Sequence, residues 1–131
     1  MRTSLGVIAT AACLAVPLAG CGSDTDRAHK AVKDFLSGLA DGNGGQVCEQ
    51  LTGDARRQLL EQTGKKSCDS AAKVVRNSLP VGDRAKLRAA TVTVQTRKQG
   101  DEAVARIEGG DELPLTKVDG DFKIAAYDFR K

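Results

Sequence analysis

The hydrophobic period changes once along this chain, and that change decides its fold class. Up to Leu79 the apolar residues recur at the spacing of one helix face; past Leu79-Pro80-Val81-Gly82-Asp83 they alternate. The first pattern collects side chains on one side of a helix, the second on one side of a strand. In the first part, Ala28, Val32, Phe35 and Leu39, widened by Ala31 and Leu36, predict an amphipathic helix over Asp26 to Ala40. Asp24 or Thr25 can cap it, and Gly42, Gly44 and Gly45 end it. A short helix follows over Gln46 to Leu51. Thr52 caps a third from Asp54 to Gln62, stopped by Gly64, and Ser67 a fourth from Cys68 to Ser78. Pro80 and Gly82 then break the helical pattern.

The remaining third of the chain reads as strands. Ala89 to Lys98 holds the β-branched run Thr91-Val92-Thr93-Val94, and Gln99-Gly100-Asp101 turns into Glu102 to Glu108. Gly109-Gly110-Asp111 leads into Glu112 to Val118, and Asp119-Gly120-Asp121 into Phe122 to Phe129. Four short strands joined by tight turns make an antiparallel meander. Helices first and strands afterwards is an α+β domain, with the amino-terminal helices packed on the sheet.

Residues 1–20 stand apart from this domain. Arg2 gives a positive start, and Leu5 to Leu18 is a mostly apolar run interrupted by Pro17, the layout of a secretory signal. A spanning helix needs about 20 apolar residues, so this run is short for an anchor. Leu18-Ala19-Gly20-Cys21 resembles the bacterial lipobox at all four positions. That resemblance implies cleavage before Cys21, a diacylglycerol thioether on its thiol and a membrane lipid as partner, with the domain on the outer face of the cell membrane. Two or three acyl chains would anchor stably where one would be marginal. The plainer alternative is an ordinary secretion signal with Cys21 near the cut. Residues 21–25 then form the lipidated cysteine and a short tether, and residues 26–131 the domain.

The first 20 residues hold one Arg and no acidic residue, so the 111 that follow carry formal charge +2 rather than +3. Near neutrality, no Lys/Arg run longer than two and only four aromatics speak against a nucleic-acid surface. Of the four cysteines, Cys13 leaves with the signal and Cys21 carries lipid, which leaves Cys48 and Cys68. An even pair in an exported protein is most simply a disulfide, and no Cys-x-x-Cys spacing points to zinc or redox chemistry.

Several segments resemble the small nuclear transport factor two-like (cystatin-like) lipoproteins of actinobacteria. These are the helix Ala31-Val32-Lys33-Asp34-Phe35-Leu36-Ser37-Gly38-Leu39-Ala40, the stretch Cys48-Glu49-Gln50-Leu51-Thr52 with Ala55-Arg56, and the closing Asp119-Gly120-Asp121-Phe122-Lys123-Ile124. The resemblance covers about residues 26 to 129 and implies a curved sheet wrapped around a long helix, a cone whose mouth can hold a small molecule. Where that family usually carries an aromatic, often Trp, Phe122 stands here. Such motifs transfer architecture and little about activity.

For chemistry, Asp34 and Tyr127 are the candidate pocket residues, with Asp128 beside them, and His29 is the one histidine. No nucleophile is placed by motif to use His29, which reads as a surface residue. Arg56-Arg57, Lys65-Lys66 and Arg130-Lys131 are basic pairs that could meet anionic headgroups, though interspersed acids make solvated faces the simpler reading. No phosphate loop, calcium loop or metal-ligand cluster is present in the sequence, and no cofactor is expected. The expectation is a non-catalytic, lipid-anchored binding or interaction module serving an envelope protein or a small apolar ligand. Its competitors are a cone-pocket isomerase or dehydratase with a carboxylate base, and an assembly in which exposed sheet faces pair two copies.

Overall fold

A computed structural model describes residues 24–97 and 100–129. Helices α1 (Asp24–Asp41), α2 (Gly44–Glu49), α3 (Gly53–Thr63), α4 (Cys68–Ser78) and α5 (Val81–Ala89) precede strands β1 (Val92–Thr96), β2 (Glu102–Ile107), β3 (Glu112–Val118) and β4 (Asp121–Ile124). The domain is α+β, and its sheet is an antiparallel meander in the order β1-β2-β3-β4 that does not close. The signal segment, Cys21, Lys98, Gln99 and the Arg130-Lys131 pair lie outside the described residues.

The core is a layer of apolar side chains between α1 and the sheet that runs on through Val47, Leu51, Leu59 and Ala72 of the flanking segments. Val32, Phe35, Leu36 and Leu39 of α1 meet Ala103, Ala105, Leu113, Leu115, Phe122 and Ile124 of the strands, and all are buried. Register enforces this: Ala103 stands opposite Leu115, Ala105 opposite Leu113 and Leu115 opposite Ile124, so one face of three strands is continuously apolar. Helices α2, α4 and α5 pack on α1, and α3 packs on α4. Gly38 lets Val47 of α2 approach so closely that a Cβ would lie 3.0 Å from its Cγ2. Asn43, Thr52 and Ser67 cap α2, α3 and α4 by accepting hydrogen bonds from Gln46, Ala55 and Ser70 N–H.

Four expected boundaries move. Helix α2 runs Gly44–Glu49 rather than Gln46 to Leu51, so Gly44 and Gly45 open it, and Gly42, at φ 70°, is the glycine that ends α1. The segment after Pro80 is a helix, α5, where the sequence reading had a break and then a strand from Ala89. Pro80 stands just before the first turn, where a missing N–H costs nothing, so it opens a helix rather than ending one. Asp83 in the first turn and Lys86 and Arg88 in the last agree with the helix dipole. None of its residues is buried, so there was little apolar stripe to read.

The last strand stops at Ile124 rather than reaching Phe129. Ala125 N–H donates to the Pro114 carbonyl (2.8 Å), but Pro114 has no N–H to return, and the ladder ends there. The freed residues turn inward: Tyr127 and Phe129 stack edge-on against Phe35, with centroids 5.3 and 6.2 Å away. Phe129 N–H is held by Gln62 Oε1 of α3 at 2.7 Å.

Helix α1 also begins two residues early, at Asp24, so Asp24 and Thr25 belong to the helix and not to a tether. The Asp24 carboxylate accepts from Arg27 (2.9 Å) and from Lys117 of β3 (3.2 Å), which pins the helix start to the sheet.

Candidate functional site

The helical repeat places Arg27, Lys30, Ala31 and Asp34 along one side of α1, and that side forms a wall of an open cleft of about 430 Å³. Glu49 and Gln50, where α2 ends, make the opposite wall, and Asp121, Phe122 and Lys123 of β4 make the floor. The arrangement is tied together by backbone. Ile124 N–H donates to Gln50 C=O (2.7 Å), Thr52 N–H to Ile124 C=O (3.0 Å), and Leu51 bridges Ile124 in parallel, so the segment after α2 continues the sheet past β4.

Charges of both signs line this cleft and are partly matched within it. Lys30 Nζ donates to Asp34 Oδ2 at 2.7 Å, and that bond holds the Lys30 ammonium above its ordinary value. Lys123 Nζ donates to the Glu49 carbonyl at 2.6 Å. Arg27 turns to Asp24, whose carboxyl is held below its ordinary value first by the hydrogen bond from Lys117. With cations and carboxylates alternating on a half-solvated wall, the cleft suits contacts with a polar surface of mixed charge.

Asp34 therefore lies at a surface ion pair, its side chain 36% exposed. Tyr127 is elsewhere. It lines a cleft of about 190 Å³ with Gly110, Asp111, Leu113 and Asp128, and another of about 380 Å³ with Gln58, Gln62 and Pro114. The two candidate pocket residues are thus not brought together. Burial pushes the Tyr127 phenol up, and the charges of Asp111 and Asp128 add to this. His29 sits half-buried on α1 and lines none of these clefts.

Cys48 and Cys68 are joined, with S–S 1.99 Å and Cα–Cα 6.3 Å, and the bond ties α2 to the first residue of α4. The helices touch at backbone level beside it: a Cβ on Gly44 would lie 2.4 Å from Asp69 N and Cα. Arg56 is engaged structurally, its Nε donating to the Cys48 carbonyl at 3.0 Å, and Arg57 pairs with Asp54. Lys65 and Lys66 are exposed.

Among the described residues no group of three or more His, Cys, Asp or Glu is placed to hold a metal ion. No helix among them is long and apolar enough to cross a membrane. Sequence reasoning singled out Asp34 but missed Arg27, Lys30, Glu49, Gln50, Asp121 and Lys123. The Lys30–Asp34 spacing was the one local signal; the rest of the cleft is made by the non-local pairing of Gln50 to Thr52 with Ile124. No family model, curated protein or solved structure matches the chain.

Proposed function

We propose that this protein is a lipid-anchored, extracytoplasmic interaction module, held through Cys21 on the outer face of the cell membrane, whose partner is an envelope protein. The observation that carries the reading is the filled space between α1 and the sheet. Phe35, Leu36, Leu39, Leu113 and Ile124 are at most 1% exposed there, and the cleft walled by Arg27, Lys30, Asp34 and Glu49 opens at the margin of this layer with a charged lining. Filling of that kind favours a polar protein partner over a small apolar ligand, and contact over catalysis. The cone-like wrapping of the sheet around α1 that the family resemblance implies belongs to the same reading, with side chains occupying the interior.

The anchor rests on Leu18-Ala19-Gly20-Cys21 after an apolar run, and the Cys48–Cys68 bond agrees with an oxidising compartment. Asp24, already within α1, stands three residues past Cys21, at most roughly 11 Å along the chain. The domain would sit close to the lipid surface and meet partners that live there.

Detergent phase partitioning and mass spectrometry of the mature amino terminus test the anchor. The parent chain is expected in the detergent phase with acylated Cys21, and Cys21→Ser in the aqueous phase. An unmodified Cys21 would remove it. Cross-linking in intact cells tests the partner: Lys30→Glu and Lys123→Glu together should abolish capture of a specific envelope neighbour. Undiminished capture by that variant would move the contact away from the cleft.

A further inference from the structure

The two edges of the sheet differ. At the β4 edge, Gln50 and Thr52 take up the backbone groups of Ile124, so the end of that edge is covered. At the other end of the order stands β1, paired only with β2 among the described strands. Arg97 N–H donates to Glu102 C=O (2.8 Å) and Glu108 N–H to Thr91 C=O (2.9 Å), so the odd-numbered residues of this strand face β2. In an antiparallel ladder the alternate residues point the other way. The N–H and C=O of Val92, Val94 and Thr96 therefore line the edge away from β2, where no described strand pairs with them.

Exposed edges are ordinarily guarded by charged side chains, proline or a bulge. From Thr91 to Thr96 this one reads Thr-Val-Thr-Val-Gln-Thr, without charge, proline or glycine, and Val92–Thr96 pairs with β2 in unbroken register. Lys33 of α1 donates to the carbonyls of Ala90 (2.7 Å) and Arg88 (3.3 Å), just before this strand. By contrast, the outer face of the sheet is polar and charged, with Arg106 paired to Glu112.

We propose that the β1 edge is a homodimer interface, in which the edges of two copies of this chain pair antiparallel about a two-fold axis at Val94. The segment is complementary to itself in that register. Val94 faces Val94, Val92 faces Thr96 on the core side, and Thr93 faces Gln95 on the outer side, so no charge opposes a like charge. An extended, uncharged and β-branched strand matches this edge, and a second copy of the chain supplies one. Because each copy offers the same edge to the other, the contact is isologous and closes at two copies, making one continuous sheet rather than a filament.

The test uses the full chain purified in detergent. Val94→Cys places two thiols on a hydrogen-bonded pair whose Cα atoms are about 5.5 Å apart, within disulfide reach, so mild oxidation should give a covalent dimer. Thr93→Lys with Gln95→Lys sets Lys opposite Lys at exposed positions and should weaken dimerisation, measured by sedimentation, by roughly tenfold or more. Thr93→Glu with Gln95→Lys sets Glu opposite Lys and should restore it, which separates interface loss from misfolding. A Val94→Cys chain that stays unlinked to itself, including one that links to a different protein instead, overturns the proposal. So does a double-Lys chain that dimerises like the parent.

Discussion

Reducing the Cys48–Cys68 bond should cost about 3 kcal/mol. The bond closes a loop with sequence separation 20 that contains all of α3 and the cap of α4. Chain-entropy reasoning for a loop of that length gives about 11 cal/mol/K, or about 3 kcal/mol at 25 °C, against a net stability of about 5–15 kcal/mol for a domain of this size. The structure indicates that little else compensates. Helix α3 buries only Ala55 and Leu59, and α2 has six residues, too few to persist unsupported. Glu49 on α2 is a cleft wall, so the bond supports the candidate site as well as the fold. Equilibrium urea unfolding with and without a phosphine reductant compares molecules that differ by two hydrogens. The midpoint should fall by roughly 1–3 M, and Cys48→Ala with Cys68→Ala should reproduce the loss or exceed it, since Cys48 is buried. A loss below about 1 kcal/mol would refute the argument, because the backbone contact of Gly44 with Asp69 would then suffice to hold α2 on α4.

Other consequences follow from single positions. Gly44→Ala should destabilise by about 1–3 kcal/mol in the same assay, because its Cβ would meet the backbone of Cys68 and Asp69 at 2.4 Å and no side chain can move aside. Stability should fall at both pH extremes. Asp24 is depressed in the folded state, so its contribution is present above its unfolded value of 3.8 and is lost as pH drops through the folded value. Lys30 and Tyr127 are raised, so theirs are complete below 10.5 and 10.0 and are lost as pH climbs through the folded values. Tyrosinate absorbance should report Tyr127 ionising above 10.0, and a midpoint at or below that value would contradict the burial argument. Helix α5, with no buried residue and no side-chain cap, should exchange its amide hydrogens before α1 does; equal protection would show that Arg88–Asp41 and Lys33–Ala90 hold it as firmly as core burial holds α1.

How much was legible in the residues varied with how local the signal was. The stripe of α1, the caps Thr52 and Ser67, and the glycine turns are statements about neighbours in sequence, and they stand within a residue or two. The Cys48–Cys68 pairing followed from counting. The failures were of another kind. Pro80 was read as a breaker because its environment, a helix start beside α1, could not be seen from Leu79 or Val81. The end of β4 depended on Pro114, ten residues earlier, which lacks the one N–H that Ala125 would need.

By itself, the sequence determined the fold class, the staple and the polarity of the chain from helices to strands, because period, caps and cysteine number act over a few residues. Only the tertiary structure decided the rest. It set Asp34 and Tyr127 in separate clefts, assembled the charged cleft by pairing Gln50 to Thr52 with Ile124, and left Val92 to Thr96 paired with β2 alone among the described strands. Those outcomes depend on which distant backbone groups satisfy one another, a condition on hydrogen-bond pairing that no local pattern encodes.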